Sequence, residues 1–172
     1  MTTKSELRKS LKEARLTMSD AEHTLKSRQI NKRLLQATDW SRVKSLHYFE
    51  PLQELLEVDT TDFVTNLEDQ YPDLQLCVPR LIEGEWQLVA ARGGLLRDEF
   101  DVIIVPMLGF DPKTLQRVGY GGGYYDKFLA TQPQAFKIGI CFEEGKRLDL
   151  ATEPHDIPLD LIITDIAIYE RK

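Results

Sequence analysis

The residues best placed to do chemistry lie in RVGYGGGYYDKF, Arg117 to Phe128. Gly119, Gly121, Gly122 and Gly123 fall within five positions, and Tyr124, Tyr125 and Asp126 follow directly. Glycines at a turn allow positive φ and bring backbone N–H groups close to a ligand. Where such a loop opens a helix, the first-turn amides add about half a positive charge. With Arg117 at the rim, the stretch reads as a phosphate cradle. Glycine alone would serve equally for a plain strand-to-helix turn. No Gly-Lys-Ser/Thr follows, so this is not a Walker A loop. In the dinucleotide fingerprint the third glycine position would be Tyr124, so that motif is absent too. The tyrosines shift the balance, because aromatic rings stack on flat heterocycles. A carboxylate beside bound phosphate is also where Mg²⁺ is held.

Elements able to position this loop are visible on both sides of it. Thr3-Lys4-Ser5-Glu6 and Ser19-Asp20-Ala21-Glu22 both match the capping box and predict two N-terminal helices. Leu7, Leu11, Ala14 and Met18 form an apolar stripe on the first, with Lys4, Arg8 and Arg15 on one line beside it. The second runs to about Thr38, with Leu25, Ile30, Leu34 and Leu35 for burial. Strands are expected over 44–50, 74–79, 86–91, 101–106, 136–142 and 160–165, and helices over 59–70 and 122–131. The run DVIIVP (101–106) is short, apolar and β-branched, as in a strand buried on both faces. Alternating strands and helices predict an α/β fold, a mainly parallel sheet in a three-layer sandwich. In such sheets ligands bind beyond the carboxyl ends of the strands.

The chain has 172 residues, 42% hydrophobic and 29% charged, with a net charge of −6. That length suits one domain, residues 1–172, with no need for a disulfide or metal staple. The acidic balance argues against nucleic-acid and membrane-surface binding. Cys77 and Cys141 both sit in apolar runs and read as buried thiols in a reducing compartment. No signal-peptide core and no run of roughly 20 apolar residues is evident, so a cytoplasmic protein is expected, monomeric or weakly homodimeric.

VPMLGFD (105–111), RVGYGGGYYDKFL (117–129) and PHDIPLDLIITD (154–165) resemble the 5-formyltetrahydrofolate cyclo-ligase family, also called methenyltetrahydrofolate synthetase. Lys4-x-x-x-Arg8, Val78-Pro79-Arg80 and Glu57-Val58-Asp59-Thr60 add to the likeness, in order along nearly the whole chain. The resemblance implies the fold of the sugar-phosphate isomerase and CoA-transferase group. It implies ATP and a reduced folate as substrates, with Mg²⁺. Lys4, Arg8 and Arg117 match residues that act on the nucleotide phosphates, and Gly119, Tyr120, Gly121, Gly122, Gly123, Tyr124 and Tyr125 match the rest of the ATP loop. Gly121 to Tyr124 are implied to touch the folate as well.

Asp126 and Asp156 match the family's magnesium ligands. Phe49 and Glu57 match positions lining the folate site, where a carboxylate can take paired N–H donors from the pterin's amino-pyrimidine edge. Trp86 reads either as a stacking partner or as core, and His155 as a turn or packing residue. The segment 81–100 is shorter than is usual in the family, which implies a folate pocket that is either more open or closed by a partner. Rival readings are a non-catalytic nucleotide- or folate-binding module and a sugar-phosphate isomerase on the same scaffold.

Overall fold

A computed structural model describes residues 3–92, 98–148, 150–151, 153–154 and 156–171. His155 therefore lies outside the described residues. Two helices lead, α1 (Lys4–Leu16) and α2 (Asp20–Ala37), followed by β1 (Ser45–His47), α3 (Thr61–Gln70), β2 (Gln75–Ile82) and β3 (Glu85–Arg92). Then come β4 (Val102–Pro106), β5 (Gly109–Phe110), β6 (Arg117–Val118), α4 (Tyr124–Ala130), β7 (Phe136–Ile140), β8 (Leu161–Ile163) and β9 (Ile168–Glu170).

The main sheet has seven strands in the order β3-β2-β1-β4-β7-β8-β9. The inner five, β2 to β8, pair in parallel, and β3 and β9 close the two edges antiparallel. The mainly parallel sheet is thus as expected, with antiparallel edges that were not. Alternation along β4 explains its apolar run. Val102 and Ile104 face α2 and α3 through Ile30, Leu34, Phe63 and Leu67. Ile103 and Val105 face the other layer, with Leu129 of α4, Phe110 and Leu115. Burying a side chain of this size contributes about 1.5–3 kcal/mol, so neither face of β4 tolerates a charge.

Thr3 caps α1 in a full reciprocal capping box with Glu6. Ser19 caps α2 by accepting from the Glu22 amide. One burial expectation is corrected: Leu25 is 59% exposed. The inward face of α2 is Ser27, Ile30, Asn31 and Leu34. Leu25 precedes Ile30 by five residues, which places it roughly 140° around the helix. Two of the inward residues are polar because they anchor the chain after β1. Ser27 accepts from the Asp59 amide at 3.1 Å, and Asn31 donates to the Asp59 carbonyl at 2.9 Å.

The order 2-1-4 reverses direction between β1 and β4, which opens a crevice beyond their carboxyl ends. Between β4 and α4 the chain makes the small β5–β6 ladder, whose connection is tightened by Asp111 accepting from the Lys113 amide at 2.8 Å. No glycine serves this turn. Leu115 takes a left-handed conformation, φ 55°, and is fully buried. Its burial against Phe110 and Leu159 offsets a backbone strain on the order of 1 kcal/mol.

Candidate active site

A cleft of about 1030 Å³ lies at this crevice, lined among others by Phe49 just after β1, Pro79 within β2 and Pro106 at the end of β4. That is the upper end of the roughly 300–1,000 Å³ usual for one small-molecule site. Among its lining residues are every sequence-predicted site residue: Lys4, Arg8, Phe49, Glu57, Arg117, Gly119 to Asp126 and Asp156.

The glycine loop runs from β6 into α4. Gly121 and Gly123 carry φ of 96° and 69°, values that only glycine holds without strain. Gly123 is the N-cap of α4 and supplies no side-chain acceptor to its first turn. Arg8 reaches across from α1 and donates from Nε to the Gly119 carbonyl at 3.1 Å. A Cβ on Gly121 would stand 3.5 Å from that Arg8 Nε, so helix and loop are in close register.

Opposite charges alternate around the loop. Lys4 Nζ lies 2.8 Å from Asp156 and 3.0 Å from Glu153. Burial alone would lower its pKa, but hydrogen bonds and charge from those two carboxylates outweigh it and hold the ammonium above its usual range. The Arg117 guanidinium bonds Asp126 on one side and the Ile157 carbonyl at 2.7 Å on the other. Its burial is the largest influence on its pKa and lowers it, while Asp126 and Asp156 together act in the other direction. Both predicted metal aspartates therefore act on the same buried cation. Among the described residues no group of three or more His, Cys, Asp or Glu is gathered. Two carboxylates are the donor set that Mg²⁺ takes when phosphate oxygens and water fill its remaining positions, so these residues fit that ion.

Part of the cleft lining is aromatic and apolar. The Tyr124 ring stacks on Phe128 with centroids 5.6 Å apart, and Trp86 tilts against it at 5.5 Å. His47 sits beneath, fully buried, with Nε2 3.3 Å from the Tyr124 hydroxyl. Burial pulls its pKa down to about 3, so it is neutral at any working pH. Trp86 is 51% exposed, which settles its alternatives in favour of a cleft-edge residue over core. It stands on the β2–β3 hairpin, whose turn places Glu83 and Gly84 at positive φ. Leu81 from the same hairpin also lines the cleft, so Leu81 and Trp86 wall this side.

Glu57 is 6% exposed. A short 3₁₀ turn at Gln53–Leu55 folds the preceding loop back, and the Leu52 amide donates to Glu57 Oε2 at 2.8 Å. Burial raises the Glu57 pKa, opposed by that amide, by the Tyr120 hydroxyl and by the charge of Arg15. Lys12, Arg147 and Leu52 line the cleft without having been predicted. Lys12 continues the four-residue spacing of Lys4 and Arg8 along one face of α1, a signal present in the sequence. Arg147 follows a 3₁₀ turn and had no such signal.

With this geometry in place, comparison with known proteins is informative. The model of the 5-formyltetrahydrofolate cyclo-ligase family matches residues 1–165. The chain belongs to that family. A 5-formyltetrahydrofolate cyclo-ligase from Mycoplasma pneumoniae is 30% identical over 94% of this chain and 98% of its own length. The counterpart from Mycoplasma genitalium is 26% identical over 95% and 98%. A solved 5,10-methenyltetrahydrofolate synthetase from Mycoplasma pneumoniae superposes with a TM-score of 0.79 at 28% identity, covering 94% of this chain and 98% of that one. The Aquifex aeolicus synthetase shares the fold, with a TM-score of 0.78 at 24% identity over 97% and 92%. Cyclo-ligase membership thus extends over both the glycine loop and the Phe49–Glu57 side.

Proposed function

We propose that this cyclo-ligase binds ATP and 5-formyltetrahydrofolate together in the one cleft and closes the folate to 5,10-methenyltetrahydrofolate, releasing ADP and phosphate. The observation that carries the reading is the cleft's mixed lining: cations and a glycine loop together with aromatic rings and a buried carboxylate. Its volume is generous for one ligand and suited to two.

The chemistry needs an activated carbon. A formamide oxygen is a very poor leaving group, and phosphate is a good one. The formyl oxygen attacks the γ-phosphorus, the bond to ADP breaks, and a phosphorylated imidate forms. N10 then attacks that carbon, the carbon–oxygen bond breaks with loss of phosphate, and N10 gives up its proton as the ring closes. Protein groups supply alignment and charge, the usual contribution in phosphoryl transfer. Holding the reacting atoms in line is worth on the order of 7–11 kcal/mol.

Lys4, Arg8 and Arg117 take the role of phosphate-facing cations, and the loop from Gly119 to Tyr125 that of the cradle. Asp126 and Asp156 would hold Mg²⁺, which when bound offsets charge on the phosphates. On nucleotide entry Lys4 and Arg117 exchange carboxylate partners for phosphate oxygens, so the cations are already in place and reorganisation is small. Phe49, Tyr124 and Trp86 pack the pterin, and Glu57 receives its amino-pyrimidine edge. Cys77 and Cys141 are both buried, which supports a cytoplasmic enzyme.

The test is direct. Protein mixed with 5-formyltetrahydrofolate, ATP and Mg²⁺ is expected to generate the methenyl product's near-ultraviolet absorbance, and to give none when ATP is omitted. ATP binding without product would favour a non-catalytic module instead.

A further inference from the structure

Arg15 on α1 is 7% exposed, yet among the described residues no carboxylate pairs with it directly. A buried cation without a direct counterion is costly, so its retention calls for a reason. Two of its donors are engaged: Nη1 with the Tyr120 hydroxyl oxygen at 2.6 Å and Nη2 with the Met107 carbonyl at 2.6 Å. Guanidinium has no acceptor, so Tyr120 must accept from Arg15, and the phenol's single proton has to go elsewhere. The Glu57 carboxylate is close enough for it and the Tyr120 hydroxyl to influence each other's ionisation. Tyr120 and Glu57 line the cleft, and Arg15 does not.

We propose that Arg15 is a positioning residue for folate binding, fixing the Tyr120 hydroxyl so that its proton is directed at Glu57. This rests on Glu57 being the pterin contact. The relay leaves Glu57 with Oε2 engaged by the Leu52 amide and one further donor from Tyr120, and so orients its remaining lone pairs toward the cleft. It also favours the ionised carboxylate, the form that accepts two N–H donors at once. The groups facing Glu57 from the surrounding elements are Arg15 from α1, His23 from α2 (Nε2 2.7 Å from the Glu57 carbonyl), Glu54 from its own loop, Tyr120 from the glycine loop and Tyr125 from α4. Of these only Arg15 is a permanent cation.

Steady-state kinetics of Tyr120→Phe, Arg15→Met and Glu57→Gln across pH 5–8 test the relay. Tyr120→Phe removes one oxygen and keeps the ring, so it remains informative even if Arg15→Met folds poorly. Both are expected to raise the folate KM about tenfold. Both should also move the acid limb of kcat/KM for folate upward by about one pH unit, because each removes support for ionised Glu57. The double variant should be no worse than either single one, since the two act in series. In a Glu57→Gln background neither change should move the pH profile further. If Glu57→Gln raises the folate KM while Tyr120→Phe leaves the acid limb in place, the relay is wrong and the Glu57 reading stands. If Glu57→Gln leaves the folate KM untouched, Glu57 is not the contact and both fall.

Discussion

Arg117→Ala is expected to lower kcat/KM for ATP by about 10³-fold, at the low end of what a transition-state arginine is worth in phosphoryl transfer. Two losses combine. The cation facing the transferred group disappears, and so does the fork that holds Asp126 on one side and the Ile157 carbonyl on the other. Removing Arg117 also takes away the cation paired with Asp126, leaving that carboxylate's charge beside the phosphates, while Asp156 keeps Lys4. Arg117→Lys should recover only part of the loss, because an ammonium restores charge without the planar fork. Folate binding measured without nucleotide should survive, since Arg117 is assigned to the phosphates. Wild-type ATP kinetics in Arg117→Ala would remove the phosphate role assigned to this loop.

Asp126→Asn is expected to raise the Mg²⁺ concentration for half-maximal rate by roughly 10- to 100-fold, the scale seen when a supporting group of a metal site is lost. An amide keeps the shape and one acceptor oxygen but loses the charge that a hard cation prefers. The same substitution frees the Arg117 fork, so ATP affinity without metal should be unchanged or tighter. Mn²⁺ binding to the protein–nucleotide complex, read by electron paramagnetic resonance, checks the metal role apart from turnover. Unaltered Mn²⁺ affinity in both Asp126→Asn and Asp156→Asn would place the ion elsewhere.

What was legible in the sequence follows from how local each signal is. β4 announced itself because a strand buried on both faces reads as an unbroken apolar run, as in Val102–Val105. The two-residue β5 and β6 and the edge strand β9 carry no such run; β9 reads exposed, half-buried, exposed over Ile168–Glu170. At the site, the glycine loop was visible because it lies within one stretch of chain. Glu57 was not visible as a buried group from its own neighbours, since its burial comes from the folded-back Leu52 turn and from Tyr120. Arg15 stood on the Lys4–Arg8 line, yet its role depends on Tyr120 and Met107, which only the packing of α1 over the loop brings to it. Local composition shows where a ligand can be held, and tertiary contacts decide which side chains are turned toward it.

The central claim is that one cleft delivers the γ-phosphate of ATP to the formyl oxygen of the folate. 5-Formyltetrahydrofolate carrying ¹⁸O in its formyl group tests it most directly, with the released phosphate analysed by mass spectrometry after turnover. One ¹⁸O atom per methenyl group formed is expected in the phosphate. Unlabelled phosphate, with the label passing into water, would contradict transfer to that oxygen and the arrangement of the site built upon it.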